Sequence, residues 1–374
     1  MSDNTPDDEE APARLRRWLA PRLLSWFDLH RRDLPWRLDR DPYRIWVSEV
    51  MLQQTQVATV VGFFDRFLAR FPTLRHLAEA DEQDVLRLWE GLGYYRRARD
   101  LLAAARRLVA DHAGTIPGDP AALADLPGMG EYTRNAVLSQ AFDLRLPILE
   151  ANTQRLLSRL FGYEEDPRQG PARRRLWVVA EKILPTKRVG DFNQALMELG
   201  ALVCTAASPA CADCPLAPRC VAHQTGRQNE IPRKSAPPAK TFVQESAVVI
   251  RRGEEVLIVQ RPAVGRWAGL WEFPHGPLAA GESHEEAARR LARDVGLEID
   301  LGPEMLTITH GITRYHITLV CFGADHRRGD FLSTQYPQAA WVEPERLGDY
   351  PVSSPQRRLA RHLTNPDPQR RLFP

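Results

Sequence analysis

The segment that most constrains how this chain folds is 126–130, which reads Leu-Pro-Gly-Met-Gly and lies between two stretches with apolar residues at helical spacing. Proline and glycine end the first helix and permit a tight turn. The second helix then begins with unpaired backbone amides, and the positive end of its dipole favours a phosphate. The sequence therefore predicts a helix–hairpin–helix in which Gly128 and Gly130 bring the backbone to a nucleic-acid phosphate. An ordinary turn between two helices is the alternative interpretation.

Length and composition set outer limits on the chain. Its 374 residues are enough for two or three domains, and its net charge of +2 excludes a general polycation. No run of 18 apolar residues occurs, so no membrane-spanning segment is predicted, and residues 1–12 are too acidic for a secretory leader. We therefore expect a cytoplasmic protein in a reducing compartment, where clustered cysteines indicate a metal site rather than disulfides.

Four of the five cysteines are closely spaced. They follow the pattern C-x6-C-x2-C-x5-C and are Cys204, Cys211, Cys214 and Cys220. This spacing predicts one metal site, and four thiolates suit either zinc or an iron–sulfur cluster, between which the spacing does not choose. The fifth, Cys321, lies in a predicted strand and is expected in a core.

Two carboxylates have neighbours that suggest chemistry. Ser48 is predicted to cap a helix, which would place Glu49 in the first turn, where a glutamate commonly complements the helix dipole. Residues 53–56 add three glutamine amides among apolar residues, and amides are costly to bury without partners such as base edges. Glu150 lies in a short proline-led segment just before another helix.

A second candidate contact loop, residues 91–97, reads Gly-Leu-Gly-Tyr-Tyr-Arg-Arg. Its glycines allow close backbone approach, its tyrosines can stack on or wedge between bases, and its arginines can bind phosphates. This composition predicts a nucleic-acid contact. The alternative is a solvated turn whose tyrosines belong to the core.

The character of the sequence changes after the cysteines. A segment rich in proline, lysine, arginine and serine follows them, and beyond it apolar runs at 246–250 and 256–259 flank Arg252-Gly253 as in a β-hairpin. A strand is also predicted at 315–322 and an amphipathic helix at 284–295. The prediction is a multidomain α plus α/β protein: a disordered tail (1–12), an all-helical domain (13–222) with its cysteine loop (204–220), a linker (223–241), an α/β domain (242–363) and a tail (364–374).

Taken together, residues 13–222 resemble the helix-hairpin-helix glycosylase superfamily, and within it the MutY-type adenine-DNA glycosylases. The motifs that carry the resemblance are Leu-Pro-Trp-Arg (34–37), Ser-Glu-Val-Met-Leu-Gln-Gln-Thr-Gln-Val (48–57), Gly-Leu-Gly-Tyr-Tyr (91–95), Leu-Pro-Gly-Met-Gly (126–130), Phe-Asn-Gln-Ala (192–195) and the cysteine quartet. The resemblance implies that the cysteines bind a [4Fe-4S] cluster. It also implies that the substrate is double-stranded DNA with adenine opposite 8-oxoguanine or guanine. A monomer is expected.

The resemblance also implies catalytic roles. Glu49 matches the general acid that protonates adenine, and Glu150 matches the carboxylate that stabilises the sugar cation. Tyr132 and Asn152 match supporting residues, and Tyr132 stands where bifunctional relatives carry a Schiff-base lysine, so a monofunctional enzyme is expected. This chain departs from the family at Glu150-Ala151-Asn152, where Asp-Gly-Asn is usual.

Other residues match the family's contacts to DNA. The adenine pocket is matched by Trp36, Arg37, Leu52 and Gln194. The residues that wedge into the duplex are matched by Gln54 and Tyr94.

Residues 242–363 resemble the Nudix-like domain with which MutY-type enzymes check for 8-oxoguanine, chiefly through residues 261–274. The family's Phe-Ser-His loop is replaced by Ile312-Thr313-Arg314, in which Thr313 can supply the serine hydroxyl. A Nudix pyrophosphatase is an alternative function, but after Gly276 and Glu282 the metal-binding glutamates of that motif are missing. A catalytically weakened protein that only binds the lesion is the other alternative.

Overall fold

The computed structural model describes residues 6–233, 235 and 239–365. The chain forms two compact units, one from Met1–Ala78 with Ala103–Ala236 and the other from Glu79–Leu102 with Pro237–Pro374. The segment Glu79–Leu102 thus groups with the second unit, although the predicted domain 13–222 contains it. The second unit is therefore built from two separate pieces of the chain.

Helices dominate the chain up to residue 224. They are α1 (Pro6–His30), α2 (Pro42–Leu52), α3 (Val57–Arg70), α4 (Leu74–Ala78), α5 (Glu82–Trp89), α6 (Arg96–Asp111), α7 (Pro120–Leu123), α8 (Glu131–Phe142), α9 (Ala151–Phe161), α10 (Gly170–Ile183), α11 (Val189–Leu202) and α12 (Val221–Gln224). The predicted helix–hairpin–helix is present as α7, the turn at 126–130 and α8. In the described part of the chain, no helix combines the length and apolar content needed to cross a bilayer.

Helix α2 begins earlier than the sequence predicts. Asp41 is its N-cap, because the Asp41 carboxylate accepts hydrogen bonds from two amides of the first turn, and Pro42 occupies the first helical position. The prediction that Ser48 caps this helix is wrong: Ser48 lies inside the helix, and its hydroxyl donates to the carbonyl of Ile45 at 2.7 Å. Glu49 therefore lies about two turns into the helix rather than in its first turn.

One core of the first unit lies between α1, α9, α10 and α11. Its members are apolar and almost fully buried, among them Leu23, Phe27, Leu157, Phe192 and Leu199. On α1 and α11 such residues recur every three or four positions, which places them on one face of each helix.

The described residues of the second unit contain a seven-stranded mixed sheet. Its strands are β1 (Thr241–Arg252), β2 (Glu255–Gln260), β3 (Trp271–Glu272), β4 (His275–Pro277), β5 (Glu298–Ile312), β6 (Tyr315–Arg328) and β7 (Gln338–Val342). The strand order is β3-β2-β1-β6-β5, and in addition β4 pairs with β1 and β7 pairs with β2. Among these strand pairs, β1 and β6 are parallel and the others are antiparallel. The predicted hairpin at Arg252-Gly253 is confirmed, because Arg252 pairs with Glu255.

Both faces of this sheet are covered. Neighbouring residues of β1 point to opposite sides, so Val248 packs in one core with α13 (His284–Asp294) and Val249 in the other with α14 (Ser354–Thr364). This layered arrangement, together with the helical first unit, confirms the predicted fold class.

The predicted chain ends fall partly outside the described residues. Helix α1 begins at Pro6, so the predicted tail 1–12 is helical from that residue onward, and residues 1–5 lie outside. Helix α14 ends at Thr364, and residues 366–374 lie outside.

The first part of the predicted linker 223–241 packs against the first unit. Arg227 pairs with Glu164 at 2.6 Å, and the carbonyl of Ile231 accepts a hydrogen bond from Arg159 at 3.0 Å. These contacts fix the chain as far as residue 231.

Candidate active site

Glu49 lies near the end of α2 with its carboxylate enclosed by the protein. Only 4% of the residue is exposed. Its Oε1 accepts a hydrogen bond from Gln140 Nε2 at 2.7 Å, and its Oε2 accepts one from Tyr132 Oη at 2.8 Å. Burial raises the pKa of Glu49 above the ordinary value, while these hydrogen bonds and the charge of Arg37 oppose the rise. Glu49 therefore keeps its proton to a higher pH than an exposed glutamate does.

Both hydrogen-bond partners of Glu49 come from α8, the helix that follows the hairpin. Burial and the charges of Glu49 and Glu150 raise the pKa of Tyr132 well above its ordinary value, so its hydroxyl stays protonated. A hydroxyl can donate or accept. Tyr132 can therefore donate to an ionised Glu49 or accept from a protonated one.

Glu150 is the N-cap of α9. Its Oε2 accepts a hydrogen bond from the amide of Asn152 at 2.7 Å, and its Oε1 accepts one from the amide of Thr153 at 2.8 Å. The Thr153 hydroxyl in turn accepts from the Glu150 amide at 2.7 Å, which completes a capping box. Shorter side chains are usual at this position. Glu150 occupies it by folding its longer side chain back onto the helix.

The two carboxylates influence each other electrostatically. Burial is the main cause that raises the pKa of Glu150; the negative charge of Glu49 adds to the rise, and the two amides and Arg155 oppose it. Backbone amides can only donate, so they favour the ionised form of Glu150. The Tyr132 hydroxyl accommodates either form of Glu49. The arrangement therefore suits one proton on Glu49 and one negative charge on Glu150.

Asn152 is fixed by the helix that packs against the start of α9. Arg155 donates to Asn152 Oδ1 at 2.9 Å and to the carbonyls of Gly200 and Cys204 at 2.7 and 2.8 Å. A Cβ on Gly200 would stand 2.7 Å from the Cβ of Asn152, so this close approach of α11 requires glycine. The packing of α11 on α9 thus holds Asn152 next to Glu150.

Two of the predicted adenine-pocket residues are in direct contact. Arg37 Nε donates to Gln194 Oε1 at 2.6 Å, and Arg37 also pairs with Glu198 at 3.0 Å. Burial alone would raise the pKa of Glu198, but hydrogen bonds from Arg32 and Arg37 lower it to about 2. Glu198 is therefore an anion that holds Arg37 in place.

The other two predicted pocket residues supply apolar surface. Trp36 is 4% exposed and packs edge-on against Phe64, with ring centroids 5.3 Å apart. Leu52 ends α2 and lies one turn beyond Glu49, on a neighbouring part of the same helix face.

The predicted DNA-contact residues of the loops have unusual backbone conformations. Gln54 has a φ of 58° and is exposed, and Tyr94 has a φ of 48° and is 49% exposed. Left-handed conformations are uncommon outside glycine and persist where the surroundings hold them. In the hairpin, Gly128 has a φ of 70°, while Gly130 is the N-cap of α8, and no atom beyond its chain neighbours lies within 4 Å of where a Cβ would be. The backbone at Gly130 is therefore open to a ligand.

The four cysteines of the predicted metal site line one pocket. Arg159, which is buried, donates to Cys204 Sγ at 3.3 Å and to the carbonyl of Thr205 at 2.6 Å. Among the residues that the structure describes, no three His, Cys, Asp or Glu side chains are grouped to hold a metal ion. The pocket therefore offers a donor set made only of cysteine sulfurs.

In the second unit, Thr313 occupies the turn between β5 and β6. Its φ is 52°, and its hydroxyl donates to the carbonyl of Ile312 at 2.7 Å. Glu282, which fits the start of the pyrophosphatase motif, forms an ion pair with Arg290 at 2.8 Å. The residues that follow Arg290 in α13 do not supply the metal-binding glutamates of that motif.

Comparison with known proteins decides the family. Residues 47–182 match the HhH-GPD superfamily of base excision DNA repair proteins, and residues 246–362 match the NUDIX domain. The adenine DNA glycosylases of Rattus norvegicus and Homo sapiens are each 34% identical to this chain over 91% of its length, and the matches cover 76% and 72% of those proteins. The chain belongs to the adenine DNA glycosylases. The predicted resemblance is therefore confirmed for both domains.

Two further relatives of this glycosylase are similar to a smaller share of the chain. The adenine DNA glycosylase of Buchnera aphidicola subsp. Schizaphis graminum is 34% identical over 68% of this chain and 73% of that protein. A solved thermostable thymine-DNA glycosylase is 29% identical, with a TM-score of 0.53 over 57% of this chain and 99% of that one.

Several residues of the glycosylase site were not anticipated from the sequence. Gln140, Arg155 and Glu198 contact the predicted residues but lie outside the motifs that carry the resemblance. Thr153 could have been found, because a carboxylate followed three residues later by threonine before a helix can form a capping box.

Proposed function

We propose that this glycosylase acts as a monomer on double-stranded DNA and hydrolyses the N-glycosidic bond of adenine mispaired with 8-oxoguanine or guanine. The observation that carries the proposal is the carboxylate pair: burial raises the pKa of Glu49, whereas two amides at the start of a helix donate to Glu150 and favour its anion. Hydrolysis of a glycosidic bond needs an acid for the leaving base and an anion for the sugar cation.

The reaction begins when adenine is flipped out of the duplex, since its ring cannot be reached within the stack. Glu49 donates its proton to the adenine ring. Tyr132 then donates a hydrogen bond to the carboxylate that remains. As the bond to the base breaks, adenine leaves with the bonding electrons, and positive charge develops on the sugar and is stabilised by Glu150. A water molecule then adds to that sugar carbon, and the proton that it loses restores the acid form of Glu49. Asn152 is the neighbouring polar group on the same helix turn.

Tyr132 makes the enzyme monofunctional. A lyase step needs an amine to form a Schiff base with the sugar, and the family position of that amine is occupied here by a phenol. The Tyr132 hydroxyl hydrogen-bonded to Glu49 has a pKa raised well above its ordinary value, so it is a poor nucleophile.

Recognition of the mispair is divided among several surfaces. The flipped adenine is enclosed by Trp36, Arg37, Leu52 and Gln194. The duplex is wedged open by Gln54 and Tyr94, and its backbone is bound at Gly128 and Gly130. In the Nudix-like domain, Thr313 at its exposed turn contacts the base opposite adenine.

Cys204, Cys211, Cys214 and Cys220 would hold a [4Fe-4S] cluster. The all-thiolate donor set and the shared pocket support this assignment. When bound, the cluster cross-links the loop that follows α11, and it supplies no group to the hydrolysis. Arg155 and Arg159 bind this loop through Cys204, so the loop and the start of α9 share contacts.

A single-turnover assay tests the proposed function. Duplexes with adenine opposite 8-oxoguanine, guanine or thymine are incubated with excess enzyme, and strand scission after alkali is measured. We expect release from the first two and little from the third, with Glu49→Gln inactive on all. Tight binding without release by the parent enzyme would instead support a lesion-binding protein.

A further inference from the structure

The loop that carries Tyr94 is held at both ends by a single residue of the Nudix-like domain. Just before the loop, Glu90 Oε2 accepts a hydrogen bond from the amide of Val352 at 3.3 Å. Just after it, Tyr95 Oη donates to the carbonyl of the same Val352 at 3.0 Å. All of these residues belong to the second unit. The two backbone groups of Val352 therefore bind the two flanks of the loop.

An ion pair reinforces the first of these contacts. Arg357 Nε and Nη2 donate to the two carboxylate oxygens of Glu90 at 2.6 and 2.9 Å, and both side chains are more than four-fifths buried. Arg357 also donates to the carbonyls of Leu347 and Tyr350, each at 2.7 Å. A two-pronged pair of this kind fixes orientation as well as distance. Glu90 is thus held in a defined position by a guanidinium that is itself anchored.

The contact continues along α5. Gln83 accepts a hydrogen bond from Trp271 Nε1 at 3.1 Å and donates to the carbonyl of Gly269 at 3.2 Å. Tyr95, on the other side of the loop, is only 6% exposed. The polar and partly buried contact with the Nudix-like domain therefore includes α5 as well as the two flanks of the loop.

The loop between these flanks is also braced internally. Arg97 donates to the carbonyls of Leu92 and Gly93 at 3.1 Å each, and its guanidinium lies 5.6 Å from the centre of the Tyr94 ring. The backbone of Tyr94 is in the left-handed region, and the residue is about half exposed. A strained residue keeps such a conformation only when its surroundings are fixed.

We propose that the Nudix-like domain positions the Tyr94 loop, with Glu90, Tyr95 and Arg357 as positioning residues that act through the backbone of Val352. This inference rests on the proposed role of Tyr94 as a wedge. The domain then has two roles, because it contacts the base opposite adenine and also holds the side chain that opens the duplex.

The test uses full-length protein and two conservative changes made together, Glu90→Gln and Tyr95→Phe. The pair removes the charge and the hydroxyl at the two flanks but keeps side-chain shape, and Arg357 keeps its two carbonyl partners. The matched control is Glu298→Gln, because Glu298 and Arg328 form the same two-pronged pair at 2.6 and 2.8 Å on an exposed part of the domain.

The first measurement is hydrogen exchange of residues 91–97 in the free protein, which does not depend on catalysis. We expect about tenfold faster exchange there in the double variant, with no change in the control or in distant helices. Unchanged exchange would overturn the proposal. A general acceleration across the second unit would overturn it too, because it would show unfolding rather than loss of positioning.

The second measurement is the fluorescence of 2-aminopurine placed beside the mispaired adenine, which rises when the base unstacks. We expect the double variant and Tyr94→Ala to reduce the rise similarly, about threefold or more, and the triple variant to be no worse than Tyr94→Ala alone. Independent, additive losses would mean that the flanks act elsewhere than through Tyr94. If the parent enzyme shows neither a rise nor adenine release, the proposed function fails, while the exchange result still decides whether the domain fixes the loop.

Discussion

Glu150 serves two purposes at once, because one side chain caps a helix and supplies a charge. Each oxygen of the carboxylate uses one lone pair on a backbone amide and keeps another for a ligand. The helix amides and dipole stabilise the same charge that the sugar cation requires. This double use explains how glutamate replaces the usual aspartate: its extra methylene is absorbed by the turn back to the helix.

Glu150→Gln should abolish adenine release while leaving duplex affinity within about twofold. The loss of the negative charge near the sugar should cost roughly several kcal/mol of barrier, or at least about 100-fold in rate. One amide of the helix also loses its acceptor, so unfolding should become easier by about 1 kcal/mol. Single-turnover rates, duplex binding and thermal unfolding measure the three effects. Release at the parent rate would show that another acid carries the step.

Glu150→Asp alone should retain the helix cap but reduce the rate, because the local backbone at Ala151 accommodates the longer side chain. The double change Glu150→Asp with Ala151→Gly restores the usual family motif and should recover most of the rate. Single-turnover rates of the two variants decide this. Equal rates for both would mean that the residue at position 151 has no part in placing the carboxylate.

Adenine release should be lost as pH rises through the raised pKa of Glu49, because only the protonated form is an acid. Gln140 lowers this pKa, so Gln140→Leu should move the loss to higher pH. The raised pKa of Glu49 also makes the stability of the fold depend on pH. Because this pKa lies above the ordinary 4.5 in the folded state, Glu49 stabilises the fold most below pH 4.5, and this contribution disappears as pH rises through the raised pKa. Rate–pH profiles of both proteins test the shift; coincident profiles would remove Glu49 as the acid.

At the scale of secondary structure, α11 brings the catalytic helices together. A Cβ at Gly190 would stand 2.5 Å from the carbonyl oxygen of Ser139 in α8, and one at Gly200 would collide with Asn152 in α9. Helices can approach this closely only where a side chain is missing. Tyr132, which contacts Glu49, lies in α8, and Glu150 caps α9. The close packing at these two glycines therefore helps to set the distance between the Glu49 and Glu150 carboxylates.

Gly200→Ala should therefore destabilise the protein by about 1–3 kcal/mol and slow adenine release, because α9 must move. The matched control is Gly62→Ala in α3, where the new Cβ would meet only the flexible end of Arg66 at 3.5 Å. That change should stabilise the protein by about 1 kcal/mol, since alanine favours a helix. Denaturant unfolding of both variants gives the comparison. The same sign for both would contradict the packing argument.

The sequence predicted some secondary-structure elements correctly and placed others wrongly. The hairpin turn, the β1–β2 hairpin and the two fold classes follow from local signals, namely glycine, proline and apolar spacing. The start of α2 was placed wrongly, because Asp41-Pro42 is a stronger helix start than Ser48. The contacts of Gln140, Arg155 and Glu198 could not be predicted, because they join helices distant in sequence.

For the molecule as a whole, anaerobically purified protein should contain about four irons per chain and absorb visible light through sulfur-to-iron charge transfer. Cys214→Ser should lose most of the iron and lower the thermal stability, whereas Cys321→Ser, outside the pocket, should keep the iron. Metal analysis with absorption spectra measures both. Zinc without iron in the parent protein would rule out the cluster.

The discontinuous second unit has a consequence for how the protein can be divided. A fragment beginning after residue 236 would contain the whole sheet but lack α5 and the residues that cover Trp271 and Arg357. The Nudix-like domain is therefore not a transferable module in the genetic sense: a fusion or deletion made at the linker would separate it from 24 residues that complete it. Recombination that preserves its packing has to move the two pieces together.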